Sequence, residues 1–431
     1  MTDFKISADW INQEGRNEAD ATLSNLLIEI GDRKVTEFVD RKGKLCDSLQ
    51  IPAYHLAEWI AENWWMLLWE PRKNEEGDDG PFLSRHSFLA AQHGYALPKI
   101  LMVALGRSIE IVASSRGVPL ADVQFKQRAH VSCAREIVEE QLTNFVQSVV
   151  DRLNERRVNE SWLQDTWAMI SETGPEEQQF CRFVGALGLS PYDIDDTIAG
   201  MLDRLQPELG DRFLMDLCLA ATAEKFPAMA AIAQQAHEIV GNAPSSTLLP
   251  IASIAPPKEN LSLPAYRRGV QAAHLLRKRL DISDTDMRGA TKIFERFEID
   301  TTLRTPLSSN SVSDETAVTG AVLRNENLMK VGLLQEKETK RRFAGARAIF
   351  SAWSSEGLSE TRLLTSAVTR DQQANRAFAA ELTAPQALVK SWAKSGRLSA
   401  SALFDLAAEL QISADVVAKR ASDMHIRVPP I

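Results

Sequence analysis

The stretch from Arg341 to Ala384 constrains this 431-residue chain more than any other. It begins RRFAGARAIFSAW and continues, further on, with RDQQANRAFAAELTAP. Phe343, Ala346, Phe350 and Trp353 recur at spacings of three, four and three, the repeat that stacks side chains on one face of a helix. A buried helical stripe is therefore expected there. A second, shorter helix is expected from Gln373 to Leu382, stopped by Pro385, whose ring cannot continue it.

Together these two segments resemble the ImmA/IrrE family of zinc metallopeptidases. In that family the first helix reads RRF, a few small residues, then HELGH, and the partner segment reads EAN, a spacer, then FAAELLMP. Arg342, Phe343 and Ala346 match the start of the first helix, and Ala374, Asn375, Phe378, Ala379, Ala380, Glu381, Leu382 and Pro385 match the partner. The resemblance covers about 265–426 and implies a zincin-type domain. It places Arg347 and Ser351 where the family has its two histidines, and Ala348 where it has the general-base glutamate. The acidic zinc ligand falls near Asp371 to Gln373, where only Asp371 is a ligating side chain.

A zincin site needs two imidazoles one helical turn apart, a third ligand on another element and a carboxylate to take a proton from bound water. A guanidinium keeps its proton and offers no lone pair. The expectation is a retained scaffold without catalytic zinc. No cofactor and no metal are expected in the chain, and the vestigial site comprises Arg347, Ala348, Ser351, Asp371 and Gln373.

Size and composition set the wider frame. The length suggests about three domains, and the net charge of −9 argues against a general attraction to nucleic acid while leaving local basic patches open. Cys46, Cys133, Cys181 and Cys218 lie far apart without a CxxC pair and read as free thiols. No apolar run reaches the roughly 18 residues of a membrane span, and the polar start of the chain has no hydrophobic signal core. A cytoplasmic location and no membrane partner are expected.

The fold expected is α+β, multidomain and predominantly helical. Residues 1–130 read as an α+β domain, with a meander from Leu23 to Ile51 and a hairpin over Ile100–Leu105 and Ile109–Ala113. Between these lie a helix carrying Trp59, Trp64, Trp65 and Trp69, read as a core anchor, and the acidic loop Asn74–Pro81, read as solvated. His86 and His93 are seven apart, with no third ligand spaced to join them. Residues 131–241 read as a helical domain and 242–264, with several prolines and serines, as a linker. Residues 265–431 form the degenerate peptidase domain, opening on a basic helix with Arg277 and Arg279, followed by candidate strands at Ile299–Thr305 and Ala321–Asn325. Near its end, Leu403–Leu410 and Ala414–Ala421 have a helix-turn-helix cadence, with Lys419 and Arg420 in the second helix.

No other catalyst emerges. Phosphate loops of the GxxxxGK[ST] or GxGxxG type and the GxSxG elbow are absent, and His237-Glu238 has Gly241 where HExxH needs its second histidine. The sequence thus points to a non-catalytic, protein-binding regulator or assembly subunit, in which a former peptidase groove captures an extended chain as an added strand. Arg347 would hold a partner carboxylate, or pair internally with Asp371 or Glu381. Family resemblance implies a mobile-element, toxin-antitoxin or phage-defence setting. Two alternatives stay open: a DNA-binding regulator using Arg277, Arg279, Lys419 and Arg420, and an atypical metallopeptidase. A protein partner is expected, and the oligomeric state is not readable.

Overall fold

The structure is a computed structural model that describes residues 3–15, 17–73, 79–118, 123–302 and 317–429. It is mixed α and β, 49% helical and 19% strand, with several small antiparallel sheets. The chain divides into two compact units, Met1–Leu202 and Asp203–Ile431. Most of the acidic loop expected at Asn74–Pro81 lies outside the described residues.

The first unit starts with β1 (Phe4–Trp10), α1 (Glu18–Ala21), β2 (Leu23–Ile30), β3 (Arg33–Lys34), β4 (Phe38–Val39), β5 (Leu45–Cys46) and β6 (Leu49–Pro52). In the first sheet β1 lies beside β2, which also pairs with β3 and β6. Register sets Phe4 opposite Ile30, Ile6 opposite Ile28 and Ala8 opposite Leu26, so alternate apolar side chains share one face. Sequence reading missed β1, because its outward positions are polar and hide the alternation. Next come α2 (Tyr54–Glu62), α3 (Trp64–Trp69), α4 (Gly80–His86), β7 (Lys99–Ala104), β8 (Ser108–Ser114), β9 (Arg116–Val118), β10 (Val123–Phe125) and β11 (Ala129–Ala134). The expected hairpin is β7 with β8, and β11 flanks β8 on its other side.

Trp59, Trp64, Trp65 and Trp69 are all buried, so the tryptophans do pack as a core anchor, but on two helices broken at Asn63 instead of the one expected. Two of the indole N–H groups have acceptors from other elements. Trp59 Nε1 donates to Ser84 O at 2.9 Å and Trp65 Nε1 to Tyr192 Oη at 3.2 Å. The unit is completed by α5 (Arg135–Glu155), α6 (Trp162–Glu172) and α7 (Pro175–Leu187). The apolar stripe of α5 packs on β1, β8, β11 and α2, while α8 (Asp196–Leu209) runs across the division of the chain.

The second unit contains α9 (Asp211–Cys218), α10 (Phe226–Asn242), β12 (Ser245–Thr247), α11 (Ala265–Arg279), α12 (Gly289–Phe297), β13 (Val318–Asn325) and β14 (Leu328–Leu333). It continues with α13 (Glu338–Trp353), β15 (Ser359–Thr365), α14 (Arg370–Thr383), α15 (Gln386–Trp392), α16 (Ala400–Leu410) and α17 (Ala414–Asp423). One antiparallel sheet, ordered β12-β14-β13-β15, organises it. In this sheet α9 packs on β15, and α10 packs on β13 and β14.

Three expectations are corrected here. The separate helical domain at 131–241 does not form: its first helices complete the first unit, whereas α9 and α10 cover the sheet of the second. A helical period announces a face to be buried but not the surface that buries it. The linker at 242–264 is part of the second unit. It supplies β12, and its carbonyls are bonded by side chains: Trp353 Nε1 to Ile254 O at 2.9 Å, Arg268 Nε to Pro257 O at 3.0 Å and Arg370 Nη2 to Leu263 O at 2.8 Å. Proline-rich backbone has few donors of its own, so guanidinium and indole N–H groups meet its acceptors instead. Thirdly, Ile299–Thr302 is not strand, and the rest of that candidate lies outside the described residues. The strand pair is β13 with β14.

Candidate functional site

The candidate site around Arg347 lies where α13 packs on β13 and β15 and meets α14. The expected one-faced stripe on α13 is corrected. From Arg341 to Trp353 every residue except Phe343 is buried, because sheet and helices cover α13 on several sides. Phe350 stacks on Phe378 of α14 with centroids 5.1 Å apart. α14 starts earlier than expected, at Arg370, behind the N-cap Thr369, whose side chain accepts from Gln372 N.

Arg347 is buried on α13. Its Nε donates to Asn375 Oδ1 at 2.7 Å, and Nη1 to Thr319 Oγ1 at 2.9 Å. Its Nη2 donates to Thr365 O at 2.6 Å and to Gln372 Oε1 at 2.7 Å. Every one of these acceptors is neutral. Neither expected acid partner, Asp371 or Glu381, takes part. Burial, and next the charge of Arg376, press the Arg347 guanidinium down to about 9. At about 9 the guanidinium still keeps its proton at neutral pH, and four oxygen acceptors converge on its N–H groups.

Asp371 is engaged elsewhere. Its Oδ1 lies 3.1 Å from Arg268 Nη1, and its Oδ2 3.4 Å from Arg212 Nη2 and 3.9 Å from Arg362 Nη2. Arg362 in turn donates to the buried Asp216 through Nε at 2.7 Å and Nη2 at 3.1 Å. Burial opposes the Arg362 charge, but Asp216 outweighs it and holds the proton more tightly than usual. A carboxylate ringed by three guanidiniums is poorly placed to ligate a cation. Gln373 faces away, donating to Val368 O at 2.6 Å. The side chain that reaches the site is its neighbour Gln372. Ala348 and Ser351 are buried and bring no imidazole or carboxylate to it.

The outward backbone groups of Leu363 and Thr365 on β15 are already bonded. Leu363 N donates to Asp216 Oδ2 at 3.2 Å, and Leu363 O accepts from Gln372 Nε2 at 2.9 Å. Thr365 N donates to Gln372 Oε1 at 3.4 Å, and Thr365 O accepts from Arg347 and from Arg376 Nη1. The strand addition anticipated from sequence is assigned to no particular edge, and Leu363–Thr365 offers it none. The outward backbone groups there are spent on side chains.

The four cations considered for DNA contact part company. Arg277 is 1% exposed and donates to Leu382 O at 2.6 Å and Ser283 O at 2.9 Å. Arg420 is 5% exposed and pairs with the fully buried Glu381, tying α17 to α14. Both are interior groups rather than contact residues. Lys419 and Arg279 remain outside, the first near Asp423 at 3.2 Å and the second donating to Ser253 Oγ at 3.4 Å.

Sequence reasoning found Arg347 but missed Thr319, Gln372 and Asn375, which define its surroundings. The signal for two of them was present, since Gln372 and Asn375 are three apart and share a face of α14. Nothing in the sequence ties Thr319 to them. No protein-family model, curated protein or solved structure matches this chain.

Proposed function

We propose that this chain is a non-catalytic, cytoplasmic protein-binding regulator or assembly subunit. Its second unit is read as a degenerate ImmA/IrrE-like scaffold acting in a mobile-element, toxin-antitoxin or phage-defence setting. The observation that carries the non-catalytic reading is Arg347, which stands where the resemblance would put a zinc ligand and spends its N–H groups on neutral side chains and backbone. The order of elements, with α11 before the β13–β14 pair, then α13, β15 and α14, and a closing pair α16 and α17, supports the scaffold reading.

A surface for a partner is available at one end of the sheet. Leu249, Leu328 and Leu358 are 66%, 48% and 70% exposed. Thr247 pairs with Leu328, and Glu326 N donates to Leu358 O at 2.6 Å, so the three leucines follow from elements that end together. Exposed apolar side chains grouped in this way mark interaction surfaces.

Two measurements on the full chain test the reading. Peptide mixtures incubated with the zinc-supplemented protein should remain intact. Cleavage that a chelator abolishes, and that survives Arg347→Ala, would overturn it. Cross-linking in the native host should trap one protein partner at stoichiometric yield, and Leu328→Asp with Leu358→Asp should release it. Absence of any trapped protein would equally defeat the proposal.

A further inference from the structure

The first unit holds a second constellation, unrelated to the vestigial site. His55 and Glu58 are three residues apart near the start of α2, a spacing that puts both on one helix face. The turn Gln92–Tyr95, closed by Tyr95 N donating to Gln92 O at 2.7 Å, delivers His93 to that face. The His55 and His93 rings stack with centroids 4.5 Å apart and planes 9° apart. One ligand atom from each of His55, Glu58 and His93 lies within 4.8 Å of the other two.

Three features of this cluster ask for a ligand. His55 Nδ1 is buried with no hydrogen-bond partner, and its nearest carboxylate oxygen, Glu58 Oε2, is 4.0 Å away. A buried polar atom left unmatched costs on the order of 1–3 kcal/mol, so the arrangement wants something between the two groups. Glu58 is oriented by Tyr54, whose hydroxyl donates to Oε1 at 2.8 Å and leaves Oε2 toward the histidines. Ligating carboxylates are commonly steadied by such an outer hydrogen bond. Finally, His93 has φ +41° and is followed by Gly94 at φ +90°. Left-handed backbone is uncommon for a residue with a Cβ, and it concentrates at ligand clamps.

We propose that His55, Glu58 and His93 bind a divalent transition cation, zinc by preference, with water completing the coordination shell. Two imidazoles and one carboxylate suit zinc and its neighbours rather than calcium or magnesium, which prefer all-oxygen shells. The field at the site favours a cation, since Glu18 and Glu62 add their charges to that of Glu58. His93 lies on an exposed turn, so the open coordination position reaches solvent.

The test uses the full chain, stripped with a chelator and dialysed against micromolar zinc. Metal content should come to about one zinc per chain, and His93→Ala and Glu58→Gln should each weaken binding by at least about tenfold. Cobalt in place of zinc should give visible bands of a four- or five-coordinate site without a thiolate charge-transfer band, which separates this site from Cys46. His93 is exposed, so its alanine variant keeps the fold, and circular dichroism in chelator checks this. If Glu58→Gln fails to fold, His93→Ala and the cobalt spectrum decide. Failure of the wild type to retain zinc, or retention that His93→Ala leaves unchanged, overturns the proposal.

Discussion

Arg347 and Asn375 bond each other twice: Arg347 Nε donates to Asn375 Oδ1 at 2.7 Å, and Asn375 Nδ2 donates back to Arg347 O at 3.2 Å. One asparagine thus holds both the side chain and the backbone of α13, locking it against α14. Truncating Arg347 to alanine removes a buried donor set from four acceptors and opens a cavity. Such a loss is expected to cost about 3–5 kcal/mol. Chemical denaturation followed through Trp353 measures it, and Arg347→Lys should recover only part, because one ammonium cannot reach four separated oxygens. An unchanged midpoint for Arg347→Ala would contradict this account of the site.

Asp216 and Arg362 form a buried pair whose partners depend on each other. Asp216→Ala leaves a guanidinium in the interior and should cost about 3–5 kcal/mol. The double replacement Asp216→Leu with Arg362→Met should cost much less than the sum of the single changes, since no charge is then stranded. A double-mutant cycle measured by urea unfolding reads the coupling. Additive costs would show that the pair is not a unit.

Gly269 of α11 is needed for a close helix crossing. A Cβ there would fall within contact distance of the Ala374 carbonyl oxygen and 2.7 Å from Phe378 N, both backbone atoms of α14. Gly269→Ala should therefore force α11 away from α14 and destabilise the second unit by about 1–3 kcal/mol or more, despite alanine's higher helix propensity. Stabilisation by this substitution, read as a rise in melting temperature, would refute the crossing.

Acid should weaken the first unit through Glu70. Burial by itself raises this carboxyl, but hydrogen bonds with His86 and from Arg85 outweigh it and bring Glu70 down to about 2 from the ordinary 4.5. A folded value below the unfolded one contributes stability that is complete above pH about 4.5 and is lost as pH falls toward about 2. The full contribution is of order 3 kcal/mol. Fluorescence of the buried tryptophans of α2 and α3, followed in urea at a series of pH values, should show the decline, and Glu70→Gln should flatten it. An equally steep acid decline in Glu70→Gln would assign the effect to other groups.

Arg420 and Lys419 should separate folding from surface chemistry. Arg420→Ala leaves Glu381 buried without its cation and should loosen α17 by about 3–5 kcal/mol. Lys419→Ala, at 79% side-chain exposure, should change stability by no more than about 0.5 kcal/mol. Proteolysis near the C-terminal helices distinguishes the two. Equal resistance in both variants would argue against the Glu381–Arg420 tie.

Much of the fold was legible locally. The period of Val138, Leu142, Phe145, Val149 and Leu153 announced α5, and the Gly106-Arg107-Ser108 break between two apolar runs announced the β7–β8 hairpin. Pro385 marks the end of α14 in both readings. The site was legible only as residue types: Arg347, Ala348 and Ser351 offer no zincin ligand set whatever surrounds them. Its partners were not legible, because Thr319, Thr365, Gln372 and Asn375 come from three elements whose convergence no local pattern encodes. The basic face expected on α11 shows the same limit, since Arg277 carries the letter of a surface residue and lies in the core.

The amino-acid order alone determined which segments could be helix or strand, and that the helix through Arg347 carries a guanidinium and no imidazole. Both follow from the phase of side chains along one short piece of backbone and from the chemistry of single residues. Tertiary structure decided which cations are interior, that 242–264 joins a sheet instead of linking domains, and that His93 meets His55 across 38 positions of chain. Burial, field and proximity are set by segments far apart in sequence, and only their packing brings them within reach of one another.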